Sequence, residues 1–76
     1  MVERPAAQVA ADARALIDQL ASQPDSESFQ ELITLGDHLG RALGTSARLL
    51  AEAGSWSQVA TYAGTSKQAA WARWRQ

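Results

Sequence analysis

Residues 55–76, SWSQVATYAGTSKQAAWARWRQ, contain the pattern from which the fold can be predicted. Apolar residues recur there at the i, i+3, i+4, i+7 spacing of one helix face: Trp56, Val59, Ala60 and Ala63. Gly64 interrupts this pattern, and glycine tolerates the left-handed backbone with which a helix ends and the chain turns sharply. A second helix is predicted from Lys67 towards Arg75. The stretch therefore predicts two short helices joined by a tight turn, which is a helix-turn-helix.

The ends of both short helices carry capping signals. Ser55 and Gln58 have the spacing of a capping box, which predicts the start of the first helix. Thr65 and Ser66 are both suitable N-caps for the second helix, and the sequence leaves open which of them serves. Because the two helices of this motif cross steeply, small residues are needed where they touch and glycine in the turn. Three residues meet this need: Ala60, Gly64 and Ala70.

Residues 59–74 resemble the pattern V/I-A-x-x-L/A-G-V-S-R-Q-A-V/A-W/H-K/A-R-F of bacterial regulators, including the biotin-repressor type and sigma-factor region-four domains. The matching positions are Val59, Ala60, Ala63, Gly64, Ser66, Lys67, Gln68, Ala69, Ala70, Trp71, Arg73 and Trp74. The lead-in at residues 50–56 is also similar to that of small actinobacterial helix-turn-helix proteins. The sequence departs from the pattern at Thr65, where an apolar residue is usual, and Arg73 occupies a position at which an aliphatic residue is commoner among such proteins. The resemblance implies a bacterial DNA-binding regulator.

The outward face of the last helix predicts how such a protein would read DNA. At 100° per residue this face has two cations, an amide and an aromatic ring but no carboxylate: Lys67, Gln68, Trp71 and Arg75. Gln, Arg and Lys match the edges of adenine and guanine in the major groove, so these four residues are the candidates for base readout. Trp71 could instead be buried in a dimer contact. The candidates for phosphate contacts are Ser55, Ser57, Ser66 and Arg73.

Two longer helices are predicted before the motif. The first runs from Pro5 to about Ala21, and its apolar stripe is rich in alanine. After a loop in which Asp25 or Ser26 can act as the cap, the second runs from about Glu27 to Ala53. This second helix contains three glycines at four-residue spacing, Gly36, Gly40 and Gly44, each costing about 1 kcal/mol relative to alanine. A strip on which the first helix or a second copy packs closely would explain them; a break near Gly44 is the alternative.

Size and charge add to this interpretation. The chain has 76 residues and no cysteine, so a single small domain over residues 1–76 must fold without disulfides or thiolate-bound metal. A homodimer held through the helical scaffold at residues 5–53, with residues 55–76 as the helix-turn-helix, would enlarge the small core. Residues 1–37 hold two basic and seven acidic side chains, and residues 38–76 hold five and one. The resulting net charges of −5 and +4 predict that DNA repels residues 1–37 and that residues 38–76 bind it.

Enzymatic chemistry is not expected. His38 is the single histidine and has no second potential ligand one helical turn away, while the carboxylates are scattered. No catalytic residue, metal, cofactor, small-molecule ligand or membrane span is therefore predicted, and the protein is expected in the bacterial cytoplasm, on the nucleoid when bound to DNA. Arg41 and Arg48, seven residues apart, share one helix face that is either solvated or a second set of phosphate contacts.

The sequence thus predicts an all-α fold of about four helices. The predicted function is sequence-specific binding of double-stranded DNA in transcriptional regulation, or in phage or plasmid maintenance. The alternative is a protein-interaction adaptor or sigma-like module that uses the same hairpin on a protein surface.

Overall fold

The computed structural model describes residues 4–76, which form four α-helices. Their bounds are Ala6–Ala21 (α1), Ser26–Ala53 (α2), Trp56–Ala63 (α3) and Lys67–Trp74 (α4). No β-strand occurs in this part of the chain, so the predicted all-α fold of two longer and two short helices is confirmed. Among the described helices, none combines the length and the apolar character needed to cross a membrane.

Helix α2 runs without a break through its three glycines, so the alternative of two helices separated near Gly44 is wrong. Its start is fixed by Asp25, whose Oδ2 accepts a hydrogen bond from the backbone N–H of Ser28 at 3.1 Å. The hydroxyl of Ser28 lies 2.8 Å from Asp25 Oδ1 and 2.7 Å from Gln23 Oε1, and Ser28 is buried. These bonds from Ser28 hold the pKa of the Asp25 carboxyl below its ordinary value. Asp25, rather than Ser26, is therefore the N-cap.

The two short helices begin on serine caps. Ser55 Oγ accepts a hydrogen bond from the N–H of Gln58 at 3.3 Å, which is one of the two bonds of a capping box. The reciprocal bond of such a box, in which the Ser55 N–H donates to the Gln58 side chain, is not formed within residues 4–76. Ser66 Oγ accepts from the N–H of Ala69 at 3.1 Å. Of the two candidates for the α4 cap, Ser66 serves and Thr65 does not.

The turn between α3 and α4 depends on Gly64. Its backbone is left-handed, with φ 70° and ψ 35°, a conformation that residues with a Cβ rarely adopt. The N–H of Thr65 donates to the carbonyl of Ala60 at 3.0 Å, and that of Gly64 donates to Thr61 at 3.3 Å. This pair of bonds is a Schellman motif, which satisfies the last carbonyls of α3 and directs the chain into α4.

The chain divides into two compact units at Gly36 and Asp37, inside α2. We name them the N-terminal unit, described from residue 4 to residue 36, and the C-terminal unit, residues 37–76. The sequence predicted one domain, with a scaffold at residues 5–53 and the motif at residues 55–76. Ala47, near the end of α2, shares a core with α3 and α4.

The C-terminal unit has a small core made mostly of alanine. Its buried members are Ala47, Val59, Ala60 and Ala70, and the half-buried residues packed on them are Leu50, Ala51, Trp56 and Trp74. Gly44 is buried as well: a Cβ at this position would lie 3.7 Å from Trp74 Cδ1 and 3.1 Å from Arg48 Nη1. Ala60 and Ala70 thus let α3 and α4 pack closely on each other, as the sequence predicted. Gly44 leaves room on α2 for the Trp74 ring.

The N-terminal unit, by contrast, has no buried apolar side chain within residues 4–36. Leu20 and Leu32 are half-buried, and its other large apolar residues are exposed by between 37% and 65%: Val9, Leu16, Ile17, Phe29, Ile33 and Leu35. A Cβ built on Gly36 would meet nothing within 4 Å, so α1 does not pack on that glycine as expected. Full burial stabilises such a side chain by about 1.5–3 kcal/mol, and most of this is not gained within the unit.

Candidate nucleic-acid interface

The four side chains predicted to read bases are all exposed on α4. Lys67 and Gln68 occupy its first turn, Trp71 follows one turn later, and Arg75 is the C-cap. Trp71 keeps 46% of its surface exposed, although it belongs to a helix anchored by the fully buried Ala70. The burial of Ala70 fixes the rotation of α4 and turns these four residues away from the core.

Arg75 and Trp71 form a pair on this face. The guanidinium carbon of Arg75 lies over the indole ring, 4.4 Å from its centroid, which is within the range of a cation–π interaction. The N–H groups of a guanidinium lie in its plane, so an arginine held over a ring keeps donors for a base or a phosphate. The pair therefore presents an ordered cation beside a flat apolar surface.

Trp56 extends this face in a way that the sequence did not predict. Together with Lys67, Gln68 and Trp71 it lines a shallow hollow between the start of α3 and α4. Trp56 was assigned to the core side of α3, and the structure shows that it is half-buried, so it serves the core and the surface at once. The sequence signal for this surface role was an aromatic residue at the first position of α3. The hollow offers two indole surfaces to a base, a sugar or an apolar side chain.

The residues predicted to contact phosphates lie at the starts of α3 and α4 and in the last turn of α4. The hydroxyls of Ser55 and Ser66 accept the capping bonds, and each keeps its proton for donation. Ser57 is exposed, while its carbonyl accepts a bond from the Thr61 hydroxyl at 3.0 Å. The guanidinium carbon of Arg73 lies 5.0 Å from the centroid of the Trp74 ring. All four positions remain accessible to a polyanion.

Similarity to known proteins gives no independent indication of function. The chain matches no family model, no curated protein and no solved structure. The resemblance to helix-turn-helix regulators therefore remains a prediction, and the geometry of the C-terminal unit is the basis for assigning a function.

Arg48 has a role that differs from both alternatives considered for it. It is half-buried, and its Nη1 donates to the carbonyl of Trp74 at 3.1 Å and to the main-chain oxygen of Gln76. The terminal carbonyls of a helix lack partners within the helix, so this bond secures the end of α4. Arg41, on the same face of α2, is exposed and pairs with Asp37. The seven-residue spacing correctly placed both arginines on one face of α2. It could not show that the end of α4 covers Arg48 and leaves Arg41 exposed.

Metal ligation has no support in residues 4–76, where no cluster of three or more histidine, cysteine, aspartate or glutamate residues could hold an ion. His38 lies exposed beside Arg41 along a shallow hollow of α2. The outer face of α4 presents two cations, an amide and an indole: Lys67, Arg75, Gln68 and Trp71.

Proposed function

We propose that the C-terminal unit binds double-stranded DNA sequence-specifically, with α4 in the major groove, in transcriptional regulation or in phage or plasmid maintenance. The observation that carries the proposal is the outer face of α4, where exposed Lys67, Gln68, Trp71 and Arg75 project from a helix whose opposite side is anchored by buried Ala70.

The dimensions of α4 support this placement. Its eight residues give a length of about 12 Å, comparable with the ~12 Å width of the major groove. In helix-turn-helix proteins the N-terminal residues of the recognition helix contact base edges. Lys67 and Gln68 occupy that part of α4, and the pair formed by Trp71 and Arg75 follows one turn later.

The charge of the motif also favours a polyanion. Residues 54–76 contain three basic side chains, Lys67, Arg73 and Arg75, and no aspartate or glutamate. A cation that neutralises a phosphate releases a condensed counterion, and this supplies most of the sequence-independent affinity for DNA. Three such charges give weak binding, so the proposal includes two copies, one on each half of a two-fold site, with centres about 34–36 Å apart.

A second candidate, a protein-interaction adaptor, is favoured by the exposed aromatic residues of the C-terminal unit. Tyr62 is 77% exposed on α3, and Trp56 and Trp71 line the hollow beside α4. Aromatic side chains in such numbers are typical of protein interfaces. The salt dependence of binding separates the two functions, because only DNA binding weakens steeply as counterion release becomes less favourable.

Lys67→Ala and Arg75→Ala are each expected to weaken binding to duplex DNA without unfolding the chain, since both side chains project into solvent. In fluorescence-anisotropy titrations each variant should bind DNA with lower affinity, and titrations at several salt concentrations should show the magnitude of the slope of log K against log salt falling by about 1 for each cation lost from the interface. Arg14→Ala, which removes an exposed arginine from the N-terminal unit, is the matched control and should leave the slope unchanged. A wild-type protein that shows no salt-dependent binding to random duplexes would exclude the DNA proposal and favour the adaptor.

Gln68→Ala is expected to change specificity more than affinity. An amide that bonds one adenine contributes about 1–3 kcal/mol of discrimination, so preference should relax at one or two base positions. Selection of binding sites from a random duplex library measures this directly. Gln30→Ala, which removes an exposed amide from α2, serves as the control. A selection profile that Gln68→Ala leaves unaltered would remove Gln68 from the readout residues.

A further inference from the structure

The N-terminal unit presents two apolar stripes that the rest of residues 4–36 covers only in part. At 100° per residue, Val9, Leu16 and Leu20 fall on one side of α1, while Asp18 lies on the opposite side. On α2 the corresponding side has Phe29, Leu32, Ile33 and Gly36, and Glu27 and Glu31 lie away from it. Both helices are therefore amphipathic in the manner of helices that pack against a core, yet the unit has no apolar core.

The number of stripes indicates what covers them. A single foreign helix would bury one stripe and leave the other in water. Within one copy, α1 and α2 leave both stripes mostly exposed. Two copies bring four such stripes together, and a four-helix bundle buries all four. A second copy of this chain supplies two further helices with the same apolar pattern.

We propose that two copies of the chain associate through their N-terminal units, α1 and the first part of α2 from each copy forming a four-helix bundle. The N-terminal unit acquires its apolar core only in this dimer, so association and stable folding of residues 6–36 are one event. The proposal does not depend on DNA binding.

The available area agrees with a dimer. The sixteen residues of α1 and the eleven residues of α2 up to Gly36 extend about 24 Å and 16 Å, and each helix is about 10 Å wide. Their combined face is roughly 400 Å² in projection, about half of the ~800 Å² of accessible surface that each partner buries in a standard interface, which corresponds to a small interface. The stripe also continues: a Cβ on Gly40, in the C-terminal unit, would likewise meet nothing within 4 Å.

The loop between α1 and α2 prepares the unit for pairing. Ser28 is 96% buried, at 4% exposure, and its bonds to Asp25 and Gln23 tie the start of α2 to the loop. A corner fixed in this way limits the entropy that must be lost when the two stripes meet a partner. The corner is already formed in the single chain, and the dimer adds the burial of the apolar side chains.

Charge gives the association a distinctive salt dependence. Residues 4–36 hold two arginines and five carboxylates, a net charge of −3, so two such units repel each other. Added salt screens this repulsion and strengthens burial of apolar surface. Self-association should therefore tighten as NaCl is raised, whereas DNA binding weakens, and the two activities can fail or succeed separately.

Sedimentation equilibrium across the micromolar range tests the proposal on the full chain. The expected result is a reversible change from 8.2 kDa to twice that mass, with helical circular dichroism rising in parallel with the dimer fraction. Raising NaCl should lower the dissociation constant. A monomer at every concentration and salt, or an assembly larger than a dimer, would overturn the proposal.

Two matched pairs of variants locate the interface. Ile33→Asp and Leu16→Glu place a charge on the two stripes, while Thr34→Asp and Ala15→Glu place the same charge on neighbouring positions that are exposed on other faces. Each stripe variant should raise the dissociation constant by at least about 30-fold, as for a hot-spot residue, and each control by far less. All four positions are exposed in the single chain, so failure of one chain to fold does not explain such a difference. A dissociation constant that changes no more in the stripe variants than in the controls would refute this interface.

Discussion

Replacing Ala70 with leucine is expected to lower the thermal stability of the C-terminal unit and to abolish DNA binding with it. Ala70 has 0% exposure and lies among Ala47, Val59 and Ala60, so three additional carbon atoms have no space. Overpacking of this kind costs about 1–3 kcal/mol. In a domain of this size each 1 kcal/mol lowers Tm by about 4–8 °C. Thermal melts followed by circular dichroism and anisotropy titrations with DNA measure the two losses together.

Ala69→Leu is the matched control for that experiment. Ala69 is exposed, precedes Ala70 and lies on the side of α4 away from the candidate readout residues. The same enlargement there should leave Tm and DNA affinity close to the wild-type values. If Ala70→Leu also left both unchanged, the packing of α4 on α3 and α2 described above, and the helix-turn-helix with it, would be wrong.

Arg48→Ala is expected to destabilise the end of α4 by about 1.5 kcal/mol, the lower limit for hydrogen bonds to charged groups, because the bonds are partly open to water. The side chain also covers Gly44, so its removal leaves that part of the helix contact unpacked. Urea unfolding of the full chain measures the change in the free energy of unfolding. DNA affinity should fall too, since Arg75 is the C-cap of the helix that Arg48 secures.

Arg41→Ala tests whether this effect is specific. Arg41 lies on the same face of α2, but it is exposed and pairs only with Asp37 within the described chain. An exposed i, i+4 pair contributes about 0.3–0.5 kcal/mol. Equal losses for the two alanine variants would show that Arg48 acts only through its charge and that its bonds to α4 add nothing.

The helices could be predicted from the sequence because their signals are local. Apolar periodicity, the caps at Ser55 and Ser66 and the turn at Gly64 involve residues within about one helical turn of each other, and all of these agree with the structure. Whether α2 breaks at Gly44 could not be decided from the neighbouring residues in the sequence. Glycine weakens a helix by a similar amount wherever it occurs, and only the contact with Trp74 and Arg48 shows why α2 continues there.

The candidate interface was predictable in its residues but not in its arrangement. Helical spacing placed Lys67, Gln68, Trp71 and Arg75 together, and their exposure agrees with that. The position of Arg75 over Trp71 depends on side-chain conformations, and the contribution of Trp56 depends on how α3 meets α4. The uncovered stripes of the N-terminal unit escaped prediction for a related reason: periodicity shows that a face requires a partner without showing whether the same chain provides it.

The Schellman turn at Gly64 has a consequence for the order of assembly. The hydrogen bonds of the two serine caps and of the turn join residues at most five positions apart, and such local contacts form before distant ones. Helical proteins rich in local contacts fold within about microseconds to milliseconds, whereas pairing of two chains must wait for a diffusional encounter. A newly made chain would thus complete α3, the turn and α4 while it is still a monomer, and protein concentration would govern only its association with a second copy.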